Sequence, residues 1–326
     1  MSRIDSIKLL GDSTVSVPLF NPQEMPNLAF KHTSILLNGE MMADSTDPDE
    51  REAFAQSLES VPKLSFDVKQ PTVRWADFLA EQFLTNDACF VFSPSAELYP
   101  EYQSEIQKAQ VVQKTQYADF FAQNNRPTGK LVSLEVPTGN WLCGISLIMW
   151  QAQKLLQSKD PEESVSLTKL KALFEQISQR TVTFSLISIA ELNGVARDAL
   201  LHENLMSRIG GTLGKSQWFT HEMCKDNAQI IEKGELSGLI DQMFISLMTI
   251  IERKALAFNR IIICCTHQQL EMLKETLAFQ QIDQMQGHWN FKWVHQVPSI
   301  TAQALTGKSA IHISCANKEL LSAGQE

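Results

Sequence analysis

This chain of 326 residues has no long apolar run, no basic cluster and no cysteine framework, and each absence closes off a class of function. Its most apolar stretch, LCGISLIMW, covers nine residues, whereas a bilayer crossing takes roughly 20; no integral membrane segment is expected. The opening MSRIDSIKLLGDST lacks the apolar core of a secretory signal. A formal charge of −9 and a pI near 5.4, with lysines and arginines scattered, argue against nucleic-acid binding, whose phosphate contacts need a basic face. The six cysteines (Cys89, Cys143, Cys224, Cys264, Cys265 and Cys315) follow no framework spacing and several sit in apolar runs, so buried thiols in a reducing cytosol are expected. A soluble cytoplasmic protein is the resulting expectation.

Catalytic signatures are missing too. There is no P-loop, GxSxG elbow, HExxH or GxGxxG spacing, which counts against a recognisable nucleotidase, hydrolase or dehydrogenase. CCTH at 264–267 has no second CxxC or HxxxH to complete a zinc site, and its strand-like context makes Cys264 and Cys265 core residues. No metal and no cofactor are expected.

What is present is an alternation of strand and helix patterns. IKLL ends in Gly11, Asp12, Ser13 and Thr14, a strand giving way to small oxygen-bearing side chains. SILL reads as a strand followed by an Asn38-Gly39 turn, and DPDEREAFAQSLESV as a helix capped within Ser45 to Asp47. QPTVRWADFLAEQFL, PEYQSEIQKAQVVQKTQ, ISLIMWQAQKLLQ and LTKLKALFEQISQR read as further helices, and ACFVFS and KLVSLEV as strands. That alternation argues for a parallel α/β sheet. TVTFSLIS opens a second unit that contains the strands IIICC, FKWVHQV and SAIHIS, with THQQLEMLKETLAF as one helix after IIICC. Two domains, 1–180 and 181–326, follow from a boundary near residues 178 to 182. Repeats and low-complexity tracts are absent.

Candidate site residues have two readings each. Ser93 and Ser95 directly follow a strand, where two hydroxyls can bind a polar head group, each bond contributing about 1 kcal/mol, or can cap the next helix. His312 is either a satisfied structural histidine or a switchable donor to a carboxylate. Gly210 and Gly211 suit a hairpin or loop better than a phosphate cradle.

The order of these pieces resembles the DegV-like family, which includes the fatty-acid-binding subunits of bacterial fatty acid kinase. LLGDSTVSVP is similar to that family's DST after its first strand, and ILLNGEMMAD to its second strand. QPT at 70–72 looks like the tail of TSQPS. SPSAELYPEYQSEIQKA resembles the SSxLSGTYQSA signature through Leu98, Tyr102, Gln103 and Ser104. GISLIMWQA keeps Gly144 and Ala152 of a GxGxxVxxA spacing; ISIAELNGVARD puts Arg197 on the arginine of LEYLxxGGRI; GGTLGKSQWF takes the place of GSLLNIKPIL; and AIHISCANKELL puts His312 on the histidine of IGTHTGPGTLG. The similarity runs through nearly the whole chain in order.

The resemblance implies two α/β domains with a fatty-acid tunnel between them. It implies a non-catalytic role, in which a long-chain fatty acid is held and its carboxylate presented to a partner kinase that binds the ATP. Ser93, Ser95 and His312 would hold the carboxylate, since a buried carboxylate needs donors, a cationic imidazole among them, in place of water. Arg197 would lie on the surface that meets the kinase. The chain departs from the pattern at Val68 and Lys69, which replace the threonine and serine of TSQ, and at Ala96, Tyr99, Pro100 and Glu101 in the SSxLSG segment. Lys69 then becomes a candidate cation for a head group. The departures leave two alternatives: a diverged scaffold that has lost lipid binding and acts as an interaction protein, or a small-molecule enzyme using the interdomain cleft, with His312 and Asp12 as its nominated groups.

Overall fold

The structure, a computed structural model, describes residues 6–15, 25–58, 62–66, 71–97, 100–126, 131–158, 166–193, 196–197, 200, 218–225 and 227–320. In chain order the first elements are β1 (Ile7–Asp12), β2 (Leu28–Lys31), β3 (Ser34–Leu37), β4 (Glu40–Ala43), α1 (Pro48–Ser57) and β5 (Leu64–Phe66). Then come α2 (Pro71–Gln82), β6 (Ala88–Ser93), α3 (Pro100–Gln116), α4 (Ala118–Gln123), β7 (Val132–Pro137), α5 (Leu142–Gln157) and α6 (Leu167–Arg180). The remainder is β8 (Thr181–Ser188), β9 (Trp218–Cys224), β10 (Asn227–Gly234), α7 (Leu236–Glu252), β11 (Arg260–Cys264), α8 (His267–Lys274), α9 (Leu277–Trp289), β12 (Lys292–Gln296), α10 (Ile300–Thr306) and β13 (Ile311–Ala316).

Local chemistry sets many of these boundaries. Asn38 and Gly39 take φ of 52° and 94°, the double left-handed geometry of a two-residue hairpin turn, so β3 and β4 pair directly. Asp47 caps α1 by accepting from Asp49 N at 2.8 Å. Thr266 and Gln269 form a reciprocal capping box on α8. The single helix expected over THQQLEMLKETLAF is two. α8 stops at Lys274, and the Thr276 hydroxyl accepts from Phe279 N (3.3 Å) to start α9. A threonine competing for backbone donors restarts the helix in a new direction.

The described residues form three sheets. The order β2-β1-β6-β7 is parallel throughout, as the strand–helix alternation implied. The sheet that opens at Thr181, β10-β9-β8-β13-β11-β12, is antiparallel at every pair except β11/β12, so the parallel expectation does not extend to it. The reason is local: β9 and β10 pair as a hairpin through a turn in which Lys225 takes φ 54°. A small β4-β3-β5 sheet completes the set.

Strand alternation gives the six-stranded sheet two unlike faces. Val182, Phe184, Leu186, Ile261, Ile263, Ile311, Ile313 and Cys315 face one side, in a core closed by Leu239, Met243, Phe244 and Leu247 of α7 and Phe279 and Ile282 of α9. Helix α5 meets the other side. Ile145, Ile148 and Met149 pack on the parallel sheet, while Cys143, Leu147 and Trp150 pack with Ile262, Cys264 and Ala316. Every residue from Leu142 to Trp150 is buried. The most apolar run of the sequence is thus a helix enclosed by two sheets, and no helix among the described residues is long and apolar enough to cross a membrane. All six cysteines are buried thiols outside any disulfide, Cys264 and Cys265 included.

A second joint ties the small sheet to the far end of the chain. Ile35, Leu37 and Phe54 pack on Ile300 and Ala304 of α10. Beside them the buried Arg51 donates to the carbonyls of Ser45 (2.5 Å), Val297 (3.3 Å) and Ser13 (3.3 Å). Asp44, also buried, accepts from Ile300 N (3.0 Å) and Thr301 N (3.2 Å). Burial raises the Asp44 carboxyl to about 6 against the opposing pull of Arg51.

Candidate functional site

The DST turn is closed on itself. Asp12 Oδ1 accepts from Thr14 N at 2.9 Å and from the Thr14 hydroxyl, and its Oδ2 accepts from the Tyr102 hydroxyl. Ser13 Oγ accepts from Thr33 N (2.8 Å), and the Thr14 carbonyl accepts from Ser299 Oγ (3.1 Å). The strand end therefore works as a joint that ties β1 to α3, to the small sheet and to the start of α10.

The polar face of the six-stranded sheet lies beneath the N-terminal end of α5. The register sets His221 opposite Ser185, Ser185 opposite His312, and His312 opposite Cys264. Directly opposed residues share a face, so these four side chains form one buried row across β9, β8, β13 and β11. The neighbouring positions Thr183 and Ser314 join their hydroxyls at 2.7 Å. Thr183 Oγ1 donates to Asn140 Oδ1 at 2.6 Å, Cys143 Sγ lies 3.0 Å from Ser314 Oγ, and Ser95 N donates to the Asn140 carbonyl at 2.8 Å. Gly144 permits this approach, because a Cβ there would run into Asn140 Oδ1 and Thr183 Oγ1.

Trp141 stands over the row, edge-on to His221 (centroids 5.7 Å apart) and to His312 (5.4 Å). The indole belongs to an apolar cluster that includes Ile187, Leu192, Phe219, Ala302 and Leu305. Leu142, next in the chain, takes φ 46°, a conformation costly for a branched side chain. The arrangement is a buried apolar cluster that borders a row of hydroxyl and imidazole groups. It suits a ligand with an apolar body and a polar head.

His312 is fully buried, with Nδ1 2.8 Å from Ser185 Oγ and Nε2 3.4 Å from Thr306 Oγ1. The Thr306 hydroxyl donates to the Ala302 carbonyl (2.8 Å), so its oxygen is left to accept from Nε2–H, and Nδ1 accepts from Ser185. Burial, and secondarily the nearby His221, pushes the imidazole down to about 3. Burial thus favours the neutral imidazole, and the expected cationic form would need a carboxylate beside it.

The serines are placed differently from the expectation. Ser93 Oγ donates to Glu135 Oε1 at 2.8 Å, and Gln107 of α3 donates to the same carboxylate (3.2 Å). That hydroxyl lies on the α3 side of the parallel sheet, engaged by Glu135 and not by a residue of the polar row. Ser95 is buried after β6, and its hydroxyl accepts from Glu97 N at 3.3 Å, the capping-type alternative; its backbone is what reaches the polar face. Arg197 is exposed on a short helical segment. Asp12 and His312, the pair nominated for catalysis, are engaged by different partners. Lys69, Gly210 and Gly211 lie outside the described residues.

Two participants escaped the sequence reading. His221 sits on an alternating strand, WFTHEMC, whose period placed it on a face without saying which. Trp141 carries no periodic signal, since it precedes its helix.

No family model matches the chain, and no curated protein does. Solved structures do. DegV from Bacillus subtilis, described as a fatty acid binding protein, superimposes with a TM-score of 0.70 at 12% identity, over 97% of this chain and 100% of that one. A DegV family protein from Thermus thermophilus, described by its fatty acid binding, gives 0.67 at 14% identity over 96% and 99%. The fatty acid kinase B3 protein of Streptococcus pneumoniae, loaded with linoleic acid, gives 0.66 at 11% identity over 96% and 99%. The chain has the fold of the DegV fatty-acid-binding structures, as its motif order implied.

Proposed function

We propose that this chain is a non-catalytic fatty-acid-binding protein, which holds a long-chain acyl group between domains 1–180 and 181–326 and presents its carboxylate to a partner kinase. The observation that carries this reading is the polar row bordering an apolar cluster, within a fold whose solved examples are described as binding fatty acids. Each buried methylene contributes about 0.8 kcal/mol, so the cluster supplies affinity, and the row replaces the water that the head group gives up. In this reading His312 lies at the head-group end. Ser95 frames the loop through Asn140. Arg197, exposed, belongs to the kinase-facing surface.

One observation favours a second reading, a scaffold without lipid: the Ser93 hydroxyl is bound to Glu135 and is not available to a ligand. Native mass spectrometry of the purified protein, before and after organic extraction, separates the two. A mass excess equal to a fatty acid, lost on extraction, is expected. A bare polypeptide mass that stays unchanged when free fatty acid is added overturns the lipid reading in favour of the scaffold.

A further inference from the structure

Most buried polar atoms of a folded chain find a partner, and along the row described above Ser185 and His312 do. His221 does not. Its side chain is 1% exposed, and neither ring nitrogen has a hydrogen-bond partner among the described residues. The Nε1 of Trp141, on the ring packed edge-on against it, is likewise buried without a partner. Three polar atoms with no partner among the described residues therefore gather on two touching rings, at the edge of the apolar cluster formed by Ile187, Leu192, Phe219 and Leu305. Leaving such atoms dry is unfavourable for each, and an apolar side chain of the same shape would avoid it. Their inventory defines what would satisfy them. The indole nitrogen only donates, and the imidazole donates from one nitrogen in either neutral tautomer. A head group with two acceptor oxygens and a long apolar tail matches this set: the two donors face the oxygens, and the tail continues along the cluster.

We propose that Trp141 and His221 are the head-group donors of this chain, binding the two oxygens of an acyl carboxylate over the Ser185–His312 row. This rests on the fatty-acid reading of the fold and names residues that neither the motif order nor the fold assigns. His312, already satisfied by Ser185 and Thr306, then serves to orient the row.

The test is titration calorimetry of the delipidated full chain with oleate and, separately, with methyl oleate, whose ester presents a poorer acceptor on the same tail. Trp141→Phe and His221→Leu are each expected to weaken oleate binding about tenfold or more, the range of a hydrogen bond to a charged group, while changing methyl oleate binding less than about threefold. His221→Gln, which keeps a donor and an acceptor, should retain most of the affinity for oleate. Ligand-free His221→Leu should unfold at a urea midpoint no lower than wild type, since two unpaired polar atoms are removed.

Oleate affinity unchanged in Trp141→Phe and His221→Leu overturns the assignment and leaves the fatty-acid reading standing. Equal losses for oleate and its methyl ester also overturn it, because they report lost packing. So does a His221→Leu chain that fails to fold, which would mean that the ring nitrogens are already in use. Wild-type protein that binds neither probe removes the fatty-acid reading itself, and this assignment with it.

Discussion

Acidification of the ligand-free protein from pH 7.5 to 5 is expected to cost stability through two particular groups. Burial pushes His221 down to about 4 and His312 to about 3, against an ordinary value of 6.5. Both are neutral in the fold and take up protons only on unfolding in this range. A folded value below the unfolded one gives stability that is present above 6.5 and is lost as pH falls toward the folded value. Each histidine then gives up about 2 kcal/mol between pH 7.5 and 5, and the pair about 4 kcal/mol. Asp44 works the other way. Its folded value, about 6 against 3.8, gives stability that is present below 3.8 and lost as pH rises through 6, so acidification returns about 1.4 kcal/mol. The net loss from these three groups is roughly 2.5 kcal/mol.

Urea unfolding followed by tryptophan fluorescence at both pH values reads that difference, provided the m-value is constant. Other carboxylates contribute to the wild-type total, so the decisive quantity is the comparison with His221→Leu. That variant should lose about 2 kcal/mol less than wild type over the same range. Equal losses in the two proteins would refute the reasoning, since they would mean that His221 either titrates normally in the fold or is protonated within it. Saturating oleate should flatten the wild-type dependence, because a bound carboxylate favours protonated imidazole.

Three further outcomes follow from the two joints and the exposed arginine. Arg51→Met removes the cation beside buried Asp44 and strands three carbonyls, so a loss of about 3–5 kcal/mol is expected in urea unfolding. Gly144→Ala drives a methyl group into Asn140 and Thr183 and should cost about 1–3 kcal/mol, read by the same denaturation and accompanied by weaker acyl binding as α5 is displaced from the polar face. Arg197→Glu, at an exposed position, should leave acyl content by mass spectrometry unchanged while slowing acyl-phosphate formation when a fatty acid kinase catalytic subunit and ATP are supplied; equal impairment of both would point to misfolding.

Much of the fold was legible because its signals are local. Asn38-Gly39 demands the left-handed pair that the turn adopts, and Asp47 sits where a cap is needed. TVTFSLIS alternates hydroxyl and apolar side chains with the period of a two-faced strand, and the nine-residue run at Leu142 is as apolar as a helix enclosed on all sides must be. The strands β9 and β10 and the helix α7 went unread, although the apolar spacing of Leu239, Ile240, Met243, Phe244 and Leu247 carries a helical period. Thr276 concealed a helix break, because a threonine inside a helical pattern and a threonine capping a new helix look alike until the chain direction is known.

The site was less legible than the fold. The sequence by itself determined a mixed α/β chain, its parallel first sheet, its buried thiols and the motif order shared with the DegV fold, all of which depend on side-chain period and on neighbours a few residues away. It also singled out His312, as an imidazole that would gain a proton beside a carboxylate. Only the tertiary structure decided which residues meet: Ser185 between two histidines 127 residues apart from it on one side and on the neighbouring strand β9 on the other, Trp141 over both rings, and Ser93 turned toward Glu135 instead. The physical reason is register. A strand's period fixes two faces, but which face is covered by α5, and which residue stands opposite which, depends on pairing between distant segments. The same burial that assembles the row also removes the water that would stabilise a charge on its histidines.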